Sequence, residues 1–360
     1  MSQIKVLRQL VEAPETALEE LNLVYVDDQK FTIERLRKGK GFTYRWKGKP
    51  LKNKKHLKRI KGLVIPPAWN NVKITHLPNG HIQAVGYDEK NRKQYRYHSR
   101  WVKIRNQTKF YKMTDFGKQL PIIRKQVNKD LKQKDWPKNK VVALIIKLME
   151  ETHIRIGNEQ YAKRNESYGL STLRKKNVDI HNSKMLFEFV GKKGKKHAVT
   201  VRNKKLIRLV SLCEDIPGWE LFKYYDEDGK KQSLDSSMVN DYLREIAGKE
   251  FFSAKDFRTW AATVIFFNAL LDIGIASNKK EIQENLLLAY DTAAKALGNT
   301  RNVCKTHYVH PHLVYAYENG SIKKSFAYIE NHSDGTQYFS PSETAVLKII
   351  KGYRPRILQN

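Results

Sequence analysis

Cysteine is nearly absent: the 360 residues include only Cys213 and Cys304, too few for a disulfide framework or a cysteine-based metal cluster. Long apolar runs are missing as well. The best of them, Trp260 to Leu271, contains Asn268 and ends at Asp272, short of the roughly 18 residues of a spanning helix, and reads as a buried helix. The opening Met-Ser-Gln-Ile-Lys-Val-Leu-Arg lacks the apolar centre of a signal peptide, so a reducing, intracellular and cytoplasmic setting is expected. There is no Gly-x-x-x-x-Gly-Lys-Ser/Thr loop to cradle a nucleoside triphosphate, and no internal repeat or low-complexity tail. Acids are scarce, 37 against 68 Lys and Arg, which leaves a formal charge of +31. Such a surplus selects a polyanionic partner, nucleic acid before membrane. The acid pair Asp226 and Asp228 lies in an Asp-Glu-Asp-Gly turn and reads as solvated, so neither metal nor cofactor is expected.

What is present divides in two. From Lys30 to Ile60 the chain carries 13 Lys and Arg against the single acid Glu34, interleaved with Phe31, Phe42, Tyr44 and Trp46. Interleaved aromatics favour a folded sheet over a disordered tail, and the cations suit a phosphate backbone. Leu23–Val26 is strand-like, after a helix start at Thr16–Glu19. Alternation at Val72–Ile74 and His81–Val85 around Pro78-Asn-Gly80 reads as a hairpin. Residues 1–103 are therefore expected to form a small, basic, mainly β domain. Beyond it, Phe116–Leu131 and Val141–Thr152 read as helices, Ser167–Leu173 as a turn leading into a strand, and Met185–Val190 with His197–Val201 as a hairpin tipped by Gly191-Lys-Lys-Gly-Lys-Lys196. Ser253 with Asp256 caps a long apolar helix to about Ile275, and Glu284–Leu297 is a helix stopped by Gly298. Residues 104–360 thus read as a larger, mainly helical domain with a small hairpin sheet, an α+β chain overall.

Five residues stand out chemically. Tyr308 lies among Arg301, Lys305, His307, His310 and His312, surroundings that suit a phosphate. Arg258 near a helix start and Arg155 at a turn are placed for phosphate oxygens, although either could be a surface ion-pair residue. Lys192 shares its hairpin tip with Lys193, Lys195 and Lys196, and Asn299 could simply finish a helix.

Pro66-Pro-Ala-Trp69, Asn79-Gly-His-Ile-Gln83, Arg92-Lys-Gln-Tyr-Arg-Tyr97, Arg155-Ile-Gly-Asn-Glu159, Tyr168-Gly-Leu170, Gly191-Lys192, Lys255-Asp-Phe-Arg-Thr-Trp260, and Gly298-Asn-Thr through Tyr308 follow one another in an order and spacing that resembles the type IB DNA topoisomerases of the bacterial and poxvirus kind. The resemblance implies a monomeric, nucleoid-associated enzyme that relaxes double-stranded DNA without ATP or metal. Tyr308 would be the nucleophile forming a 3′-phosphotyrosyl link. Arg155 and Arg258 would hold the non-bridging oxygens, Lys192 would protonate the leaving 5′ oxygen, and Asn299 would donate to the phosphate. Many relatives have His where this chain has Asn299, which can donate a hydrogen bond but carry no charge. Two rivals remain: a tyrosine recombinase, which typically has His at the position of Lys255 and lacks the basic β domain, and a noncatalytic nucleic-acid-binding protein.

Overall fold

The computed structural model describes residues 6–355 apart from 8, 11, 12, 14, 17, 182, 249–251 and 333, and for residue 19 the backbone alone. Ala17, within the helix start expected at Thr16–Glu19, lies outside the described residues. Contacts divide the chain into two compact units, one running to Tyr111 and taking in Arg354, the other Lys112–Tyr353.

The first unit is built on a six-stranded antiparallel sheet: β1 (Ile33–Lys38), β2 (Gly41–Trp46), β3 (Lys49–Pro50), β4 (Asn70–Ile74), β5 (Ile82–Tyr87) and β6 (Lys93–Tyr97), in the order β3-β2-β1-β4-β5-β6. The β2–β3 turn places Lys47 and Gly48 at φ 48° and 77°, the two left-handed residues that a two-residue hairpin requires. Along β2, exposed Gly41, Thr43 and Arg45 alternate with half-buried Phe42, Tyr44 and Trp46, so the aromatics anchor a strand whose other face is wet. Ile33, Leu51, Ile60, Val72, Ile74 and Ala84 form the core beneath, with Ile60 supplied by the helix Lys54–Gly62. Leu23–Val26 is not a strand and makes one isolated bridge, Val24 to Gly80. Its two ends serve two small cores, Leu23 with Trp101 and Ile104 and Val26 with Phe31 and Val85, while Val24 and Tyr25 between them are exposed.

The second unit is mainly helical. Its centre is the helix Lys138–Thr152, in which Val141–Ile146, Leu148 and Met149 are all buried, as expected of a helix apolar on every side. Against it pack the helices Met113–Asp130, Lys204–Glu214, Ser236–Ala247 and Ala254–Ile273. A three-stranded sheet, β7 (Val178–His181), β8 (Lys184–Val190) and β9 (Lys196–Val201), carries the lysine-tipped hairpin between its last two strands. Ser167–Leu173 contains no strand. Leu170 and Ser171 donate their amides to the carbonyls of Arg155 and Ile156, and Thr172 N donates to Gly169 O at 2.8 Å to close a short 3-10 turn at Leu170–Thr172.

Candidate active site

The candidate side chains sit at or near the ends of regular elements. The buried Lys138–Thr152 helix ends at His153 in the left-handed conformation, φ 54°, which turns the chain so that Arg155 follows immediately. The turn is fixed from the other side. Gly157, at φ +95°, and Gly169 approach so closely that a β-carbon on Gly169 would lie 2.6 Å from the Gly157 nitrogen. Leu170 N donates to the Arg155 carbonyl at 2.9 Å, and Ser171 N to that of Ile156 at 2.7 Å.

Arg258 is in the second turn of Ala254–Ile273, where Ser253 N donates to Asp256 Oδ2 at 2.9 Å, and Lys112 pairs with the same oxygen at 2.8 Å. Only 6% exposed, its guanidinium donates to the carbonyls of His153 and Leu297, the latter at 2.8 Å. One cation therefore ties together the ends of two helices, and its Nε is left without a partner. Burial first, and the Arg155 charge next, pull its pKa down to about 10. The same causes, burial and then Arg258, bring His153 to about 4, so its imidazole is neutral.

The helix Lys279–Leu297 ends on Gly298 at φ 61°, with Asn299 N donating back to Ala294 O at 2.9 Å. This presents Asn299 to Arg155, whose Nη2 donates to Asn299 Oδ1 at 2.7 Å. Because the oxygen is committed, Nδ2 is the side chain's remaining donor; it is buried, and Asn299 also lies against the thiol of buried Cys304. A short helix, Arg301–His307, then delivers Tyr308 at its end, with Tyr308 N and Val309 N both donating to Cys304 O at 3.0 Å. Thr263 locks the position: its hydroxyl contacts Tyr308 O at 3.3 Å and accepts from His310 N at 3.2 Å.

The Arg258 guanidinium carbon lies 5.5 Å from the Tyr308 ring centroid. Burial pushes the phenol's pKa up, but the charges and polar contacts of Arg258 and Arg155 outweigh it, and the net displacement is downward. Lys192 stands apart on the exposed hairpin tip and makes no hydrogen bond or ion pair among the described residues. Neighbouring protein still strips enough water from its ammonium to lower its pKa, with Arg155 adding to the effect. A cavity of about 230 Å³ has Arg155, Lys192, Arg258 and Gly298 among its lining, together with His197. Four of the five sequence candidates are thus directly interlocked, while Lys192 lies within electrostatic reach. Thr263 and His197 had no sequence signal beyond membership of an apolar helix and an alternating strand.

The sequence of residues 98–331 matches the family described as eukaryotic DNA topoisomerase I, catalytic core, and residues 41–88 match the bacterial DNA topoisomerase IB N-terminal domain. The DNA topoisomerase 1B of Acanthamoeba polyphaga mimivirus is 35% identical over 311 residues, covering 84% of this chain and 89% of that protein. This chain belongs to the type IB DNA topoisomerases. Monkeypox virus DNA topoisomerase I is 25% identical over 229 residues, 62% of this chain and 69% of that protein. The match at 41–88 falls on the basic β region, within the six-stranded sheet.

Among the described residues no helix is long and apolar enough to cross a membrane. Asp226 is engaged within its own turn, accepting from Lys230 N at 2.8 Å and Gln232 Nε2 at 2.7 Å.

Proposed function

We propose that this enzyme relaxes supercoiled double-stranded DNA as a monomer, by transient cleavage of one strand through a 3′-phosphotyrosyl intermediate, with no requirement for ATP or metal. The Tyr308 phenolate attacks the phosphorus, the bond to the 5′ oxygen breaks, and that oxygen takes a proton from Lys192. Religation is the reverse: the 5′ hydroxyl returns its proton to Lys192 and displaces Tyr308. One phosphodiester is exchanged for another, so no external energy source is needed. Arg155 and Arg258 stabilise the charge gathering on the non-bridging oxygens, and Asn299 Nδ2 donates to one of them. Residues 1–103 grip the DNA backbone, and residues 104–360 carry the chemistry.

The observation that carries this reading is the pair of guanidinium groups flanking Tyr308, which hold its phenol below its ordinary pKa despite burial. The test is incubation with supercoiled plasmid in EDTA without ATP. Relaxation by the wild type and its loss in Tyr308→Phe are expected. An absolute need for magnesium or ATP, or a Tyr308→Phe enzyme that relaxes plasmid normally, would overturn the mechanism.

A further inference from the structure

Two glycines precede two of the site residues, Gly191 before Lys192 and Gly298 before Asn299, and the same imidazole fills the space beside both. A β-carbon on Gly191 would lie 2.7 Å from His197 Cδ2 and Nε2. One on Gly298 would lie 3.0 Å from His197 Cε1 and 3.4 Å from Nδ1. The ring therefore stands between the hairpin tip and the end of the Lys279–Leu297 helix, one edge toward each. Its plane is fixed by Phe189, its direct partner across β8 and β9, stacked at 5.0 Å with 12° between planes. A second tie runs alongside, from Lys195 Nζ to Gly298 O at 3.1 Å. Burial, followed by the charges of Arg155, Lys195 and Arg258, lowers the imidazole pKa, so the wedge adds no competing cation near neutrality.

We propose that His197 is a positioning residue for strand cleavage: a rigid aromatic spacer that sets the hairpin carrying Lys192 against the turn carrying Asn299, so that proton donor and phosphate donor meet one phosphate. The proposal rests on the assignment of Lys192 as general acid. A hairpin tip with no hydrogen bond of its own at Lys192 needs such an external stop, because misplacement by about 1 Å is enough to cost about 10²-fold in rate.

The experiment compares single-turnover cleavage of ordinary DNA with cleavage of DNA whose bridging 5′ oxygen is replaced by sulfur, a leaving group that needs no proton. His197→Ala is expected to cleave ordinary DNA about 10- to 10²-fold more slowly, within the contribution of a general acid, and to recover most of that loss on the sulfur substrate, as is expected of Lys192→Ala. His197→Phe, which keeps a flat ring against Phe189, should regain most of the rate on ordinary DNA. Rescue of Lys192→Ala without rescue of His197→Ala would overturn the role of His197 alone. Failure of Lys192→Ala itself to be rescued would overturn the general-acid assignment and this inference with it. Should His197→Ala not fold, His197→Phe decides: a folded, ring-bearing variant that still cleaves as slowly as Lys192→Ala refutes the spacer.

Discussion

Arg155 and Asn299 lie 144 positions apart in the chain and are joined by a 2.7 Å hydrogen bond from Nη2 to Oδ1. The bond does two things at once. It orients a guanidinium, and by occupying the amide oxygen it leaves the buried amide nitrogen as the side chain's donor. Removing the side chain in Asn299→Ala should therefore slow single-turnover cleavage by about 10²-fold, the usual cost of one stabilising donor, while DNA affinity changes little. Asn299→Asp should be slower still, because a carboxylate would neutralise Arg155 and repel the phosphate. An Asn299→Asp enzyme with wild-type cleavage would remove this residue from the phosphate.

The pH dependence follows from Tyr308. Burial raises its pKa, the charges of Arg258 and Arg155 lower it, and the lowering prevails. On the sulfur-substituted substrate, where Lys192 need not supply a proton, cleavage should rise with pH as the phenolate forms. The midpoint should fall below the value of about 10 for a free phenol. Arg258→Ala removes the first of the stabilising charges, so its midpoint should move to higher pH, with Arg258→Lys between the two. An unmoved midpoint would show that the guanidinium does not control the nucleophile.

Most of this fold was legible because its elements carry local signals. The cap at Ser253, the stop at Gly298 and the alternation of β8 and β9 each follow from a few adjacent residues, and so did the expectation that Asn299 lies just past a helix end. The departures come where apolar residues have a nonlocal role. Leu23–Val26 is apolar because its two ends serve separate cores, and Ser167–Leu173 is held by amide hydrogen bonds to Arg155, Ile156 and Val190 instead of forming a strand of its own. His197 was invisible for the same reason: its significance lies in the two glycines it faces, one of them on a helix end a hundred residues away. Roles for Tyr308, Lys192 and the two arginines came from the family resemblance, since composition left each with a plain structural alternative.

Not every cation of the N-terminal unit should contribute to DNA affinity. Arg37, Arg45 and Lys47 are exposed, whereas Arg35 is 9% exposed and donates to Pro66 O at 3.1 Å, bracing the Pro66–Trp69 turn. Each exposed cation that contacts a phosphate should, on replacement by Ala, reduce the magnitude of the slope of log affinity against log salt by roughly 0.9. Arg35→Ala should leave the slope unchanged and lower stability by about 1–3 kcal/mol, the cost of losing hydrogen bonds from a charged donor to half-buried residues. Titrations at several salt concentrations and thermal melts separate the two classes. A reduced slope in Arg35→Ala with unaltered melting would reverse the distinction.

The helix Pro341–Ile350 is held by Glu343, whose Oε1 accepts from Arg124 Nη2 at 2.8 Å and from Trp260 Nε1 at 2.9 Å. Trp260 is two positions from Arg258, so this network supports the helix that carries the site. Burial pushes the Glu343 carboxyl up, but hydrogen bonding and charge from Arg124 take it below its ordinary range. A folded-state pKa below the unfolded one contributes stability that is complete above the unfolded value, about 4.3 for Glu, and is lost as pH falls through the folded one. Glu343→Ala should cost about 1–3 kcal/mol at pH 7, since Arg124 and Trp260 both lose their Glu343 acceptor while Arg124 keeps its pair with Glu150. The difference from wild type should shrink in acid. Melts at pH 7 and below pH 4 showing an equal difference would remove Glu343 from the acid sensitivity.

The close crossing of Gly157 and Gly169 gives the most specific structural test of how Arg155 is held. Gly169 has φ −153°, an extended conformation open to alanine, so Gly169→Ala carries no intrinsic backbone penalty. Its new β-carbon would nevertheless meet the Arg155 carbonyl oxygen, and would lie 2.6 Å from Gly157 N and 2.7 Å from Gly157 Cα. All three are backbone atoms, which cannot swing aside as a side chain could. The turn must shift, and with it the guanidinium that holds Asn299. Single-turnover cleavage should fall by about 10²-fold, the scale of a 1 Å misplacement. Arg155 is a positioned charge rather than the main source of affinity, so the DNA dissociation constant should stay within a few-fold of wild type. Restoration of contact volume elsewhere should not help, because the clash is between main chains. A Gly169→Ala enzyme that cleaves at the wild-type rate would mean that the Arg155 side chain finds its place independently of the turn beneath it.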